Sequence, residues 1–173
     1  WSGMKLKLVS ILTLCLLIMV SILQSCTISL SGATLDPELK TFYIPNFTNN
    51  AENALPSLSQ RLTEDLKDKV RAESRLVLSE VEPDIEFRGT LVDYRITAEA
   101  PRTGESTAIN RLTITLAISY FNNRKNTEIW QKNFSFFYDF SSAIDFSSVQ
   151  ETANKAISKQ IMEDIFNAAF SNW

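Results

Sequence analysis

The sequence has no histidine among its 173 residues, and it has only two cysteines, four glycines and five prolines. The absence of histidine removes the commonest general base and the commonest metal ligand together. Two cysteines cannot build the disulfide framework that stabilises many small secreted domains. Neither histidine-based catalysis nor a metal site is therefore expected, and the fold has to rest on a hydrophobic core.

The N-terminal segment has the composition of an export signal. Lys5 and Lys7 precede an apolar run over residues 8–23, and polar sequence follows directly. This pattern is typical of a secretory signal peptide. A membrane-spanning helix would need about 20 apolar residues, and serine and threonine interrupt this shorter run. We therefore expect residues 1–25 to be a signal peptide, with residues 1–3, which precede the first methionine, an artefact.

The signal ends in Leu23-Gln24-Ser25-Cys26, which resembles the lipobox of bacterial lipoproteins. The resemblance implies that the mature chain begins at Cys26 and carries a covalent diacylglycerol and an N-acyl chain there. It would be tethered to a membrane by these chains and would need no cofactor. We expect residues 26–39 to form a lipidated N-terminal segment and residues 40–173 to form a single domain. The alternative is a transmembrane anchor with an incidental cysteine.

The mature chain would be acidic. Without Lys5 and Lys7 it has 15 basic and 20 acidic side chains, a net charge of −5. A nucleic-acid partner would require a basic surface, so none is expected. Alternate aromatic residues over residues 130–140 could form a base-stacking platform. The acidic charge disfavours that interpretation, and we assign the aromatic stripe to the core.

Two segments have apolar residues spaced by three and four, the period of an amphipathic helix. One starts near Pro56, and the other follows Ser148 and Glu151, which have the spacing of a capping box. The first apolar stripe consists of Leu55, Leu58, Leu62, Leu66 and Val70, and the second of Val149, Ala153, Ile157, Ile161, Ile165 and Ala168.

Four other segments alternate between apolar and polar residues, the period of a strand. They cover residues 41–44, 85–96, 112–120 and 130–140. A change of parity in the second segment predicts a β-bulge near Gly89 and Thr90. The order strand-helix-strand-strand-strand-helix predicts an α+β fold, with two helices packed on one face of a four-stranded mixed sheet.

An ordered set of short motifs resembles the Bacteroidota branch of the LptE family of lipopolysaccharide-assembly lipoproteins. Besides the lipobox, the set extends over essentially the whole mature chain. Its members are Lys40-Thr41-Phe42 followed by Asn46-Phe47, Pro56-Ser57-Leu58-Ser59-Gln60, Asn110-Arg111-Leu112-Thr113-Ile114-Thr115, and Glu163-Asp164-Ile165-Phe166-Asn167-Ala168-Ala169.

The resemblance implies an outer-membrane lipoprotein on the periplasmic side. Such a protein plugs and helps to assemble the LptD β-barrel, and it assists the insertion of lipopolysaccharide into the outer leaflet. The family has no known catalytic residues, so no enzymatic activity is expected. A serine hydrolase is also disfavoured because no serine lies in a glycine-flanked turn with an activating histidine. The alternative is a free-standing periplasm-facing lipoprotein that binds a soluble or envelope ligand.

Contact with lipopolysaccharide or the barrel would use basic or polar residues on the sheet. Arginines near the strands could bind acidic sugars or phosphates. The simpler interpretation is that they form cross-strand ion pairs. The polar parity of residues 112–120 would suit a wet barrel interior. The candidate contact residues are Arg95, Arg111, Thr113, Thr115, Ser119 and Arg124.

Overall fold

The structure is a computed structural model that describes residues 37–100 and 108–171. The predicted signal peptide and the predicted lipidation site Cys26 lie outside these residues. The elements are β1 (Thr41–Tyr43), β2 (Thr48–Asn49), α1 (Pro56–Glu73), β3 (Val77–Leu78), β4 (Ile85–Glu99), β5 (Ile109–Asn122), β6 (Thr127–Ser141) and α2 (Phe146–Phe170).

The sheet combines parallel and antiparallel strands in the order β3-β1-β4-β5-β6, and β2 pairs separately with β4. Strands β1, β2 and β3 run parallel to their neighbours. Strands β4, β5 and β6 form an antiparallel meander. The predicted class, two helices with a mixed sheet, is confirmed. The described residues form six strands instead of four because β2 and β3 have two residues each, too few to show a period.

Strands β1 and β2 lie end to end along one edge of β4. Phe42 of β1 pairs with Ile85, and Thr48 of β2 pairs with Thr90. Pro45 lies between the two short strands and has no N–H to donate to a ladder. The chain therefore pairs with β4 as one parallel strand with an interruption at the proline.

The β-bulge predicted near Gly89 and Thr90 lies instead at Val92, where the register between β4 and β5 shifts. Gly89 has a different role. A Cβ atom at this position would lie 2.4 Å from Cδ1 of the buried Phe47 ring. The glycine thus allows the ring to pack directly on the β4 backbone.

The core lies between the helices and one face of the sheet. In β5 the even-numbered apolar side chains from Leu112 to Ile118 are fully buried. Both predicted helix stripes contribute to the same core, although Leu55, at the N-cap of α1, is 52% exposed. The buried members of the stripes are Leu58, Leu62, Leu66, Val70, Ala153, Ile157, Ile161 and Ile165.

The start of α2 differs from the predicted capping box. The N-cap is Asp145, whose carboxylate accepts the N–H of Ser147 at 3.0 Å. Ser148 instead donates its hydroxyl to the Asp145 carbonyl at 2.7 Å. An aspartate caps a helix as well as a serine does, and this one comes first in the chain.

Strand β6 forms one edge of the sheet, and this position limits the burial of its aromatic stripe. Phe140 is buried, and Trp130, Phe134 and Tyr138 pack partly buried against the core. Phe136 is 36% exposed. The assignment of this stripe to the core therefore holds fully only for Phe140, because an edge strand has a neighbour on one side only.

Candidate functional site: the open face of the sheet

The face of the sheet opposite the helices carries mostly polar residues from alternate positions of β4, β5 and β6. Among residues 37–100 and 108–171, neither helix packs on it, and we call it the open face. The open face consists of Arg88, Asp93, Arg95, Arg111, Thr113, Thr115, Ser119, Ser135, Phe137 and Asp139, which the strand register places side by side.

Arg111 contacts two carboxylates and one aromatic ring at the open face. Its Nε and Nη2 atoms donate to the two carboxylate oxygens of Asp139 at 2.7 and 2.8 Å. Its Cζ lies 3.9 Å from the centroid of the Phe137 ring, and Nη1 lies 3.9 Å from Glu99 Oε1. The hydrogen bonds to Asp139 raise the pKa of the Arg111 guanidinium. This bidentate geometry fixes both the position and the charge of the side chain.

The other arginines of the open face also have acidic partners. Arg95 forms an ion pair with Asp93, two residues away on β4. Arg88 donates from Nε to Glu86 at 2.7 Å, and its Cζ lies 4.6 Å from the ring centroid of Phe121. An acidic ligand would therefore have to compete with a carboxylate at each arginine. The structure shows ion pairs at these arginines, and their contact with lipopolysaccharide stays a prediction.

The threonines and the serine predicted as contact residues each lie beside a charged residue of β4. Thr115 donates its hydroxyl to Ser135 at 2.9 Å, which links β5 to β6. Thr113 lies between Arg95 of β4 and Phe137 of β6 in the register. All three side chains are half-buried by their neighbours on the sheet. They lie on β5, the middle strand of the open face, where Ala117 separates Thr115 from Ser119.

Ser119 also lines a cleft of about 350 Å³ on the open face. The loop before β2 forms one wall of this cleft, and β4, β5 and β6 form its floor. The polar groups in the lining include Asn46, Thr48, Arg88 and Gln131. Through Ser119, this cleft connects a predicted contact residue with the loop before β2.

Arg124 does not belong to the open face. It lies in the turn between β5 and β6, and its Nη1 donates to the Glu38 carbonyl at 2.7 Å. Its guanidinium also lies 3.5 Å from the Glu38 carboxylate and 3.9 Å from that of Asp84. The structure thus brings together five of the six predicted contact residues, and it places Arg124 where the chain enters β1.

Sequence reasoning missed the contribution of β6 to the open face. Ser135, Phe137 and Asp139 occupy the odd positions of β6, and they contact or face predicted residues of β5. Their common parity is visible in the sequence. Their partners on β5 cannot be read from the sequence, because the register of the β5–β6 hairpin shifts between Tyr120 and Phe121.

The described residues contain no group of three or more cysteine, aspartate or glutamate side chains that could hold a metal ion. In the same residues, every buried polar side-chain atom has a hydrogen-bond partner. None of the described helices has the length and apolar composition needed to cross a membrane.

The fold and the open face define a class of protein: an α+β domain with two helices on one side of a mixed sheet and a polar surface on the other. The sequence model of the lipopolysaccharide-assembly family, LptE, matches residues 39–169. This match includes α1, α2 up to its next-to-last residue, the six strands of the described residues, and the open face. The chain belongs to the LptE family.

Solved structures with low sequence identity share the fold. A hypothetical protein from Chlamydia trachomatis aligns with a TM-score of 0.54 at 10% identity, covering 78% of this chain and 99% of that one. The uncharacterized lipoprotein B from Nitrosomonas europaea aligns with a TM-score of 0.52 at 12% identity, covering 77% and 83%. No curated protein matches the sequence. At these identities the similarity describes the fold alone.

Proposed function

We propose that this protein is an outer-membrane lipoprotein that plugs and helps to assemble an LptD-type β-barrel, and that it assists the insertion of lipopolysaccharide into the outer leaflet. The observation that carries the proposal is the LptE family match over residues 39–169. The protein would act by docking and positioning, without catalysis. Its domain would face the periplasm.

The chemistry of the open face supports this role. A plug inside a barrel meets an interior that is polar and wet. The open face offers hydroxyl groups at Thr113, Thr115 and Ser119, together with arginines already neutralised by carboxylates. Such a surface can be covered by a polar wall without burying an unpaired charge, which would be costly.

Attachment to the membrane would depend on Cys26. A thioether to diacylglycerol at this residue, with an N-acyl chain, would supply more than one acyl chain, and a single chain gives only marginal binding. Substitution Cys26→Ser should abolish incorporation of labelled palmitate and leave the precursor unprocessed. Labelling of Cys26→Ser at the wild-type level would contradict this anchor.

Docking through the open face can be tested with a charged triple variant, Thr113→Glu, Thr115→Lys and Ser119→Glu. Each new charge lies opposite an existing charge of opposite sign on β4, namely Arg95, Asp93 and Arg88. The isolated domain should therefore stay folded. Inside a barrel, the bulkier side chains should collide with the wall, and the variant should no longer co-purify with the barrel from detergent-solubilised outer membranes.

The matched control places the same charges on exposed positions of the helices, with Ser57→Glu, Gln60→Lys and Thr152→Glu. This control should bind the barrel normally. If only the helix variant loses the barrel, the helices are the docking surface. If no large barrel co-purifies with the wild-type protein, the result favours the alternative, a free-standing lipoprotein that binds a soluble or envelope ligand.

A further inference from the structure

The two edges of the sheet differ in how well they are protected from another strand. The β3 edge has two residues, and so short a strand offers few free backbone groups. The β6 edge has fifteen residues. Among residues 37–100 and 108–171, no strand pairs with its outer side. This outer side of β6 therefore offers a long row of backbone donors and acceptors.

Aromatic side chains line the β6 edge. Phe136 and Phe137 are 36% and 44% exposed, and their rings stack on each other with centroids 5.7 Å apart. Lys132 places its Nζ 5.6 Å from the centroid of the Trp130 ring. Large exposed apolar side chains beside free backbone groups are typical of a strand that receives a partner.

The side chains of β6 at equal distances before and after Ser135 are complementary to each other. In an antiparallel pair with a second copy centred there, Phe134 faces Phe136, Lys132 faces Tyr138 and Trp130 faces Phe140. By symmetry, each of these pairs occurs twice. All six residues have the same parity and so share one face of the sheet. Aromatic pairs and cation–π pairs at facing positions stabilise a sheet.

The charges of β6 also permit this register. Its three charged residues are Glu128, Lys132 and Asp139. In the pairing centred on Ser135, Asp139 faces Gln131 and Lys132 faces Tyr138, so no like charges meet. A parallel in-register pairing would instead place each charge against its own copy, which is unfavourable. The charges and the aromatic side chains of β6 thus favour the same antiparallel register.

We propose that the β6 edge is a self-association site, where two copies of this chain pair antiparallel about a two-fold axis at Ser135 and extend the sheet across both molecules. The site shares Ser135 and Phe137 with the open face, so pairing of two copies here is an alternative to docking of this margin of the open face on a barrel. The proposal does not depend on the proposed function. A two-fold contact of this kind uses the same surface on both copies and closes on itself.

The test uses the full chain in membranes with the single substitution Ser135→Cys. Facing Cβ atoms in an antiparallel pair lie about 4.5–5.5 Å apart. A mild oxidant or a short bifunctional maleimide should therefore produce a covalent dimer with twice the mass of the chain. The wild-type protein contains Cys15 and Cys26, and it measures the background cross-linking from these two cysteines. The exposed helix variant Ser57→Cys is the matched control, and it should produce no dimer above this background.

Adding Phe136→Lys to Ser135→Cys should reduce cross-linking about tenfold, because two aromatic pairs are lost and the new lysine lies diagonally opposite Lys132 of the other copy. Val92→Lys exchanges an exposed apolar residue for lysine on β4, away from the edge, and should leave cross-linking unchanged. Circular dichroism checks that each variant is folded.

If Ser135→Cys perturbs the fold, a mixture of Asn133→Cys and Phe137→Cys chains tests the same register, since these residues face each other. The mixture should cross-link, and neither variant alone should do so. Folded variants without any dimer above the Ser57→Cys level would overturn the proposal. A cross-linked product that contains a different protein would also overturn it and would assign the edge to that partner.

Discussion

The two faces of the sheet consist of alternate residues of the same strands, yet they contribute to the molecule in different ways. On the helix side, four successive inward-facing residues of β5 are fully buried and apolar. On the open face, their neighbours form hydroxyl contacts and cross-strand ion pairs that water can reach. Burial of apolar surface stabilises a fold far more than exposed polar pairs do. The helix side therefore contributes most of the stability of the fold. Residues of the open face can be exchanged with little loss of stability.

The largest expected effect compares two adjacent residues of β5. Ile114→Ala removes a side chain that is 0% exposed, and it should lower the free energy of unfolding by about 2–5 kcal/mol. Thr115→Val keeps the branched shape and removes only the contact with Ser135. It should change the free energy of unfolding by about 0.5 kcal/mol or less. Urea titration followed by circular dichroism measures both.

A large loss from Thr115→Val would contradict the proposed division between the faces, because the open face would then be part of the stabilising framework. The urea dependence of the unfolding free energy should be the same in both variants. A change in this dependence would indicate altered compactness of the native or unfolded state, and the two losses could not then be compared.

Strand β5 could be predicted from the sequence because it lies between two long strands. One side of it faces the helices, so apolar and polar residues alternate from Leu112 to Tyr120 except at Ala117. Strand β6 has the same alternation, but its burial is incomplete because it lies at the edge. Periodicity reports which side chains share a face, and it does not report whether a neighbouring strand covers them.

The composition of the open face could be predicted in part. Thr113, Thr115 and Ser119 share one parity, and the structure places them together on the open face. Arg124 could not be excluded from the sequence, because a turn has no parity to assign. The β-bulge was placed too early because Gly89 resembles a break in the pattern, whereas the glycine actually accommodates the Phe47 ring.

The end of the sheet near β1 tests whether polar contacts can also hold this fold. Asp84 Oδ2 accepts the backbone N–H groups of Lys40 and Thr41 at 2.7 and 3.0 Å. In return, the Thr41 hydroxyl accepts the N–H of Asp84 at 3.0 Å. Arg124 approaches the same carboxylate at 3.9 Å. This network joins β1 to the start of β4 and belongs to neither face.

Asp84→Asn keeps the size of the side chain and removes its charge, and it should have a smaller effect than Ile114→Ala. Hydrogen bonds from backbone N–H groups, that of Lys40 first, hold the pKa of Asp84 below its ordinary value of 3.8. A lowered pKa means that the folded state favours the ionised carboxylate, so its contribution is complete above about pH 4 and is lost as the pH falls through the folded-state pKa. At pH 7, Asp84→Asn should lower the free energy of unfolding by about 1.5–3 kcal/mol, the general range for hydrogen bonds to a charged group. Below the ordinary pKa, the difference between variant and wild type should shrink, which urea titrations at pH 7 and pH 3 can measure. A difference that stays constant between these two pH values would show that the charge of Asp84 does not stabilise this end of the sheet.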